Sequence, residues 1–174
     1  MTCDQIIAVV ANVITIFGGF LAFYVFKSWK HQQNYSFTRD KIFECELIFS
    51  RLLVTIEQYM EIYKDEVPFE RNRLNNTNLE LTNVLLAEVR KKLDPLWNEY
   101  ELAQYSLYVL NVQYNRDKFP NFITLNGEMK RYIDTLNKTK TKIEVGKEYS
   151  FIRKSLKTRK TEGLIELKNL RENL

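Results

Sequence analysis

Glu57 and Glu61 stand four residues apart, so on a helix their carboxylates lie one turn apart on a common face. Two carboxylates so placed could hold a cation or work as an acid and base pair. No second carboxylate or His pair of the ferritin-like kind accompanies them, and surface charge accounts for them better. His31 is the one histidine, and its position just past a long apolar stretch points to a headgroup contact or to plain solvation. The H-E-x-x-H, C-x-x-C, G-x-x-x-x-G-K-[ST] and G-x-G-x-x-G patterns are missing from the sequence. This inventory predicts no enzymatic activity, no catalytic residues, no metal and no cofactor.

The two cysteines read differently. Cys45 falls on an apolar stripe and is expected to be a buried reduced thiol. Cys3, near the chain start, could link two parallel copies in an oxidising space, carry a palmitoyl group or stay free. Asn34-Tyr35-Ser36, Asn75-Asn76-Thr77 and Asn137-Lys138-Thr139 match the N-glycosylation acceptor; the orientation derived below leaves all three on the cytoplasmic side and unmodified.

The elements that carry these residues follow from composition and periodicity. A chain of 174 residues accommodates one ordinary domain and a short appendage. Five Gly and three Pro argue against a turn-rich β sandwich or barrel. The expected fold class is all-α: one N-terminal transmembrane helix, then a cytoplasmic antiparallel bundle of three long helices and a short C-terminal helix.

No charged residue occurs from Ile6 to Phe26. At about 1.5 Å per residue this stretch makes a helix about 31 Å long, the thickness of a hydrocarbon core of about 30 Å. A cleaved signal peptide needs a basic start and a small-x-small cleavage site, whereas this chain begins MTCDQ and offers no such site at FYVFKSW. Asp4 precedes the stretch and Lys27, Lys30, Arg39 and Lys41 follow it. The positive-inside bias therefore places the amino terminus outside and the remainder in the cytoplasm, at a cell inner membrane. Tyr24, Lys27, Trp29 and Lys30 are expected to anchor the cytoplasmic interface.

Within the stretch, Ala8, Asn12, Thr15, Gly19 and Ala22 recur at steps of four, three, four and three and share one small, weakly polar face. In lipid, helices associate through close backbone approach and interhelical hydrogen bonds. An Asn12 facing another Asn12 or a water-filled lumen satisfies a carboxamide that lipid would leave unpaired. Self-association through this face is expected.

Beyond the membrane, Ile42, Cys45, Phe49, Leu52, Ile56, Tyr59 and Tyr63 follow steps of three and four and predict an amphipathic helix that ends near Lys64 to Pro68. Thr77 and Glu80 form a T-x-x-E capping box for a second helix, whose stripe runs from Leu79 through Leu93, Leu96, Tyr100 and Leu107 to Tyr114. Asp94-Pro95 predicts a kink or restart inside it. Phe122, Leu125, Met129, Tyr132, Leu136 and Ile143 predict a third helix, and Leu164, Ile165, Leu167 and Leu170 a short fourth from about Thr161 to Asn173. The domains expected are an anchor at 1–30, a helical bundle at 31–145 and a basic segment with a short helix at 146–174.

Charge is partitioned along the chain. Glu44 to Glu101 holds twelve acidic and seven basic residues, while Lys138 to Leu174 holds eleven basic and five acidic. The basic tail comprises Lys138, Lys140, Lys142, Lys147, Arg153, Lys154, Lys157, Arg159 and Lys160. It could be a solvated tail, lie on an anionic leaflet, pair with the acidic middle of a neighbouring subunit, or bind nucleic acid, the last resting on charge alone and not expected. The reading as a whole is a single-pass, membrane-anchored interaction or assembly module. Its expected partners are membrane lipid, further copies of itself and a cytoplasmic protein. An oligomeric membrane effector or pore-former gated by the bundle is the alternative.

Overall fold

The computed structural model describes residues 3–67 and 76–174, without the side chains of residues 4–6, 9 and 76–79. The described residues are all-α, with four helices: α1 (Cys3–Tyr63), α2 (Asn76–Val109), α3 (Phe122–Asn137) and α4 (Lys142–Glu172). The chain divides into two compact units, one ending at Arg39 and one beginning at Asp40.

In the first unit the side chains described from Ile7 to Phe26 are exposed, the phenylalanines and isoleucines included. Among the described residues α1 is the helix long and apolar enough to cross a membrane: its apolar window has a mean hydropathy of 1.7 and none of it is buried. Burying such residues is worth about 1.5–3 kcal/mol each, and this unit buries none of them against itself.

The second unit has one hydrophobic core drawn from all four helices. From α1 it takes Ile42, Cys45, Phe49, Leu52, Ile56 and Tyr59, the stripe read from the sequence, together with Ile48, Leu53 and Met60. From α2 come Val89, Leu93, Leu96, Tyr100, Ala103 and Leu107. Leu125, Met129 and Leu136 of α3 and Val145, Ile152, Leu156 and Leu167 of α4 complete it. An aromatic cluster sits where the loop after α2 meets α1: Phe49 stacks on Tyr100 at 5.7 Å, and Phe119 meets Phe49 edge-on at 5.0 Å, Tyr100 at 5.7 Å and Tyr114 at 5.2 Å.

Helix boundaries depart from the sequence reading at identifiable places. Rather than running to Tyr114, α2 stops at Val109. Asn111 takes a positive φ of 55°, the Asn111 N–H donates to the Tyr108 carbonyl and the Val112 N–H to the Leu107 carbonyl, both at 3.0 Å. These are the paired bonds of a Schellman stop, which Asn tolerates in the left-handed region. Pro95 lies inside α2, and helix continues on both sides of it without a restart at Asp94.

The short helix is α3, not the last one. α3 ends at Asn137 and Ile143 belongs to α4, which begins at Lys142 and not near Thr161. Thr141 caps α4 by accepting the Glu144 N–H at 3.2 Å, and the Glu144 carboxylate accepts the Lys140 N–H at 2.7 Å. This T-x-x-E was a readable signal in the sequence. The residues expected to form a basic segment with a short helix thus belong, up to Glu172, to one 31-residue helix that contributes to the core. The expected stop at Pro68 and the cap at Thr77 lie outside the described residues; before them α1 closes in turns, with Glu66 N–H donating to the Tyr63 carbonyl at 2.9 Å.

Candidate functional site

The association face predicted for the first unit is open. Ala8, Asn12, Thr15, Gly19 and Ala22 are all exposed, and a Cβ added at Gly18 or Gly19 would meet nothing within 4 Å. Thr15 Oγ1 donates to the Ala11 carbonyl at 2.8 Å, so its hydroxyl proton is satisfied within the helix, as is usual for Thr in apolar helices. The Asn12 carboxamide has no such bond among the described residues and remains available to a second molecule. Tyr24, Lys27, Trp29 and Lys30 are exposed too, with Phe26 and Trp29 rings 6.4 Å apart.

The chemistry-bearing candidates of the second unit have structural partners. Glu57 receives the Arg153 Nε–H at 2.8 Å, and Glu61 lies 4.0 Å from Lys64 Nζ. They are surface charges held by cations. Among the described residues no group of three or more His, Cys, Asp or Glu side chains could hold a metal ion. Cys45 is a free, buried thiol, pushed up to about 12 by burial and then by Glu44 and Glu46. Its thiolate is not accessible at neutral pH. Cys3 is free and exposed.

The arginines of the basic tail, and Arg171 after it, pair with acids or carbonyls of other segments. Arg153 reaches Glu57 of α1, Arg159 reaches Glu128 of α3 at 2.6 Å and the Asp117 carbonyl, and Arg171 Nε lies 3.0 Å from Glu46 of α1. In this last pair both buried atoms lack hydrogen-bond alignment. The Arg171 guanidinium also sits 5.3 Å from the Phe43 ring centre. Burial pushes the Glu46 carboxyl up, against the opposing pull of Arg171. Part of the acidic middle therefore pairs with the basic tail within one chain. Lys138, Lys140, Lys142, Lys147, Lys154 and Lys157 are exposed, Lys160 is half-buried, and none of these lysines has an ion pair among the described residues.

Sequence reasoning missed the polar brace of the loop before α3. Tyr100 Oη and Gln104 Nε2 both donate to the Pro120 carbonyl, at 2.5 and 2.8 Å, and Gln104 Oε1 accepts the Phe122 N–H at 2.9 Å. It also gave no sign of the outward apolar residues of α2. Leu102, Tyr105 and Val109 follow steps of three and four away from buried Tyr100, Ala103 and Leu107, with Tyr108 beside them, and all four are more than 60 % exposed.

Among the described residues of the second unit, a hollow of about 580 Å³ lies between Ser50–Gln58 and Lys91–Glu99 and is lined by Val54, Pro95 and Leu96, with Arg51 3.6 Å from Glu99 at its side. Two smaller ones, about 340 and 250 Å³, lie along Phe151–Glu162 and beside Thr139. None brings together a nucleophile, a base and an oxyanion donor. No protein-family profile, curated protein or solved structure matches this chain.

Proposed function

We propose that this protein is a single-pass membrane-anchored helical module, homo-oligomeric, that recruits or scaffolds a cytoplasmic partner at the inner membrane and has no enzymatic activity of its own. The observation that carries the reading is the contrast between the two units. One exposes an uninterrupted apolar helix that buries nothing against itself, and the other encloses a core of its own with ion pairs between its helices. Water does not tolerate an apolar surface of the first kind, and a bilayer does.

The finer architecture is part of the proposal. Tyr59 accepts a hydrogen bond from Arg90 at 3.0 Å and Arg51 lies 3.6 Å from Glu99. These two contacts support antiparallel packing of α1 and α2, as in a bundle. Lys27 and Lys30 support a cytoplasmic second unit. Leu102, Tyr105, Tyr108 and Val109 support a protein-binding face on α2, since aromatic residues grouped on an exposed surface are the usual core of a protein interface. The domains proposed remain the anchor and the cytoplasmic helical unit.

Fractionation and sizing test the reading. The chain is expected in the membrane fraction, resistant to carbonate and released by detergent, and to elute as more than one subunit by light scattering. Recovery as a soluble monomer without detergent overturns it. The pore-forming alternative is favoured by one observation, the unpaired Asn12 carboxamide on the open small-residue face. It predicts dye leakage from vesicles, abolished by Asn12→Leu, whereas a scaffold that uses this face only for association loses subunits with Asn12→Leu and leaks in neither form.

A further inference from the structure

The outer face of α4 interleaves large apolar side chains with lysines. Ile143, Phe151 and Ile165 are 72, 65 and 51 % exposed, although the helix has a buried face in Val145, Ile152, Leu156 and Leu167. Ile143, Lys147, Phe151, Lys154, Thr158 and Ile165 follow helical steps that place them on one side, turned away from those core residues, with Lys157 at one margin, Glu144 and Glu162 at the other, and Glu172 at the far end beyond Ile165. The three arginines of the same helix point to acids of α1 and α3. Planar guanidinium groups thus make the fixed contacts, and flexible ammonium groups are left on the outside.

We infer that this face of α4 lies on the anionic headgroup surface of a bilayer, with Ile143, Phe151 and Ile165 entering the acyl boundary and Lys147, Lys154 and Lys157 reaching phosphate. Charge complementarity selects this occupant: lysine stems cover apolar surface while their ends reach the headgroups, and a helix carrying aromatic and aliphatic residues between lysines is the kind that binds in the interface plane. A phosphodiester backbone would use the cations but would leave Ile143 and Ile165 against water. The inference rests on the membrane placement proposed above, which keeps lipid at hand, and adds the lipid class.

The test uses the 174-residue chain with Cys3→Ser and an environment-sensitive fluorophore at Thr158→Cys, Cys45 being buried. The protein is reconstituted into nanodiscs of phosphatidylcholine alone or mixed with phosphatidylglycerol, each doped with a lipid-borne nitroxide. Quenching is expected to be several-fold stronger in the anionic discs. It should fall with added salt, and with Lys147→Glu, Lys154→Glu and Lys157→Glu combined, a variant checked for unchanged helicity. Phe151→Ser should lower it as well. Equal, weak quenching in both compositions overturns the inference, as does salt-dependent retention on duplex DNA, lost with the same charge reversals, in place of any lipid dependence. If the chain stays soluble without discs the anchor reading fails separately, and vesicle flotation decides: recovery with anionic vesicles alone supports this face, and recovery with neither kind overturns it.

Discussion

Gly163 of α4 lies so close to the Phe49 ring of α1 that a methyl group on its Cα would overlap the ring, standing 2.8 Å from Cζ and 3.2 Å from the Lys118 carbonyl oxygen. Phe49 is fully buried and packs against both Tyr100 and Phe119, so moving the ring disturbs the cluster. The close approach of α4 to the aromatic cluster depends on the missing side chain.

Gly163→Ala should therefore destabilise the protein by up to about 2 kcal/mol, the overpacking cost of about 1–3 kcal/mol less the roughly 1 kcal/mol that Ala gains over Gly in a helix. Gly127 and Gly146 lie in helix interiors with open space around them. Gly127→Ala and Gly146→Ala should each stabilise by about 0.5–1 kcal/mol. Denaturant titration of the detergent-solubilised protein, followed by circular dichroism, gives the three signs side by side. A stabilising Gly163→Ala would contradict the packing.

Gln104 serves the Pro120 carbonyl and the Phe122 N–H at once, while Tyr100 serves the carbonyl alone. Gln104→Leu should cost about 1–3 kcal/mol, since it leaves a backbone donor without its partner, and Tyr100→Phe about 0.5–1.5 kcal/mol, because Gln104 still donates to the carbonyl. The order of the two unfolding midpoints is the measurement, and the reverse order would show that the brace is not shared this way.

Among the cations of α4, Arg159 is held by both Glu128 and the Asp117 carbonyl and is mostly shielded from water, whereas Arg153 binds Glu57 at an exposed position. Arg159→Ala should lower stability by about 1.5–3 kcal/mol, the range for hydrogen bonds to charged groups. Arg153→Ala should have a smaller and salt-sensitive effect, and Lys154→Ala almost none. Unfolding curves at low and high salt check the ranking.

The pH dependence follows from Cys45 and Tyr100, both raised chiefly by burial, the thiol to about 12. Each holds its proton more tightly in the folded chain than in the unfolded one. Their contribution is fully present below the unfolded thiol value of about 8.5. It is lost as pH rises from there toward 12, because the unfolded chain ionises first. Stability should fall steadily on the alkaline side. At neutral pH a maleimide should label Cys3 and spare Cys45 until denaturant is added, and prompt labelling of both in the native protein would show that Cys45 is not enclosed.

What the sequence determined was whatever a single helix decides for itself. The uncharged run from Ile6 to Phe26, the α1 stripe through Ile42, Phe49 and Ile56, and the α2 stripe through Leu93, Tyr100 and Leu107 are readable because an apolar face has one period and needs no partner to be recognised. Boundaries set by one or two residues were harder: the left-handed stop at Asn111 and the cap at Thr141 break a hydrophobic period that runs on past both, which is why α2 was read too long and α4 too short.

The tertiary structure alone decided which charges meet. Arg153 finds Glu57 and Arg171 finds Glu46 across more than ninety residues of chain, and no local spacing records contacts formed only when helices pack. It alone decided that Gly163 must be small, since that requirement comes from Phe49 on another helix. And it alone decided that Arg153, Arg159 and Arg171 of α4 reach acids on other helices, because the face of a helix that meets a neighbour depends on what it is packed against.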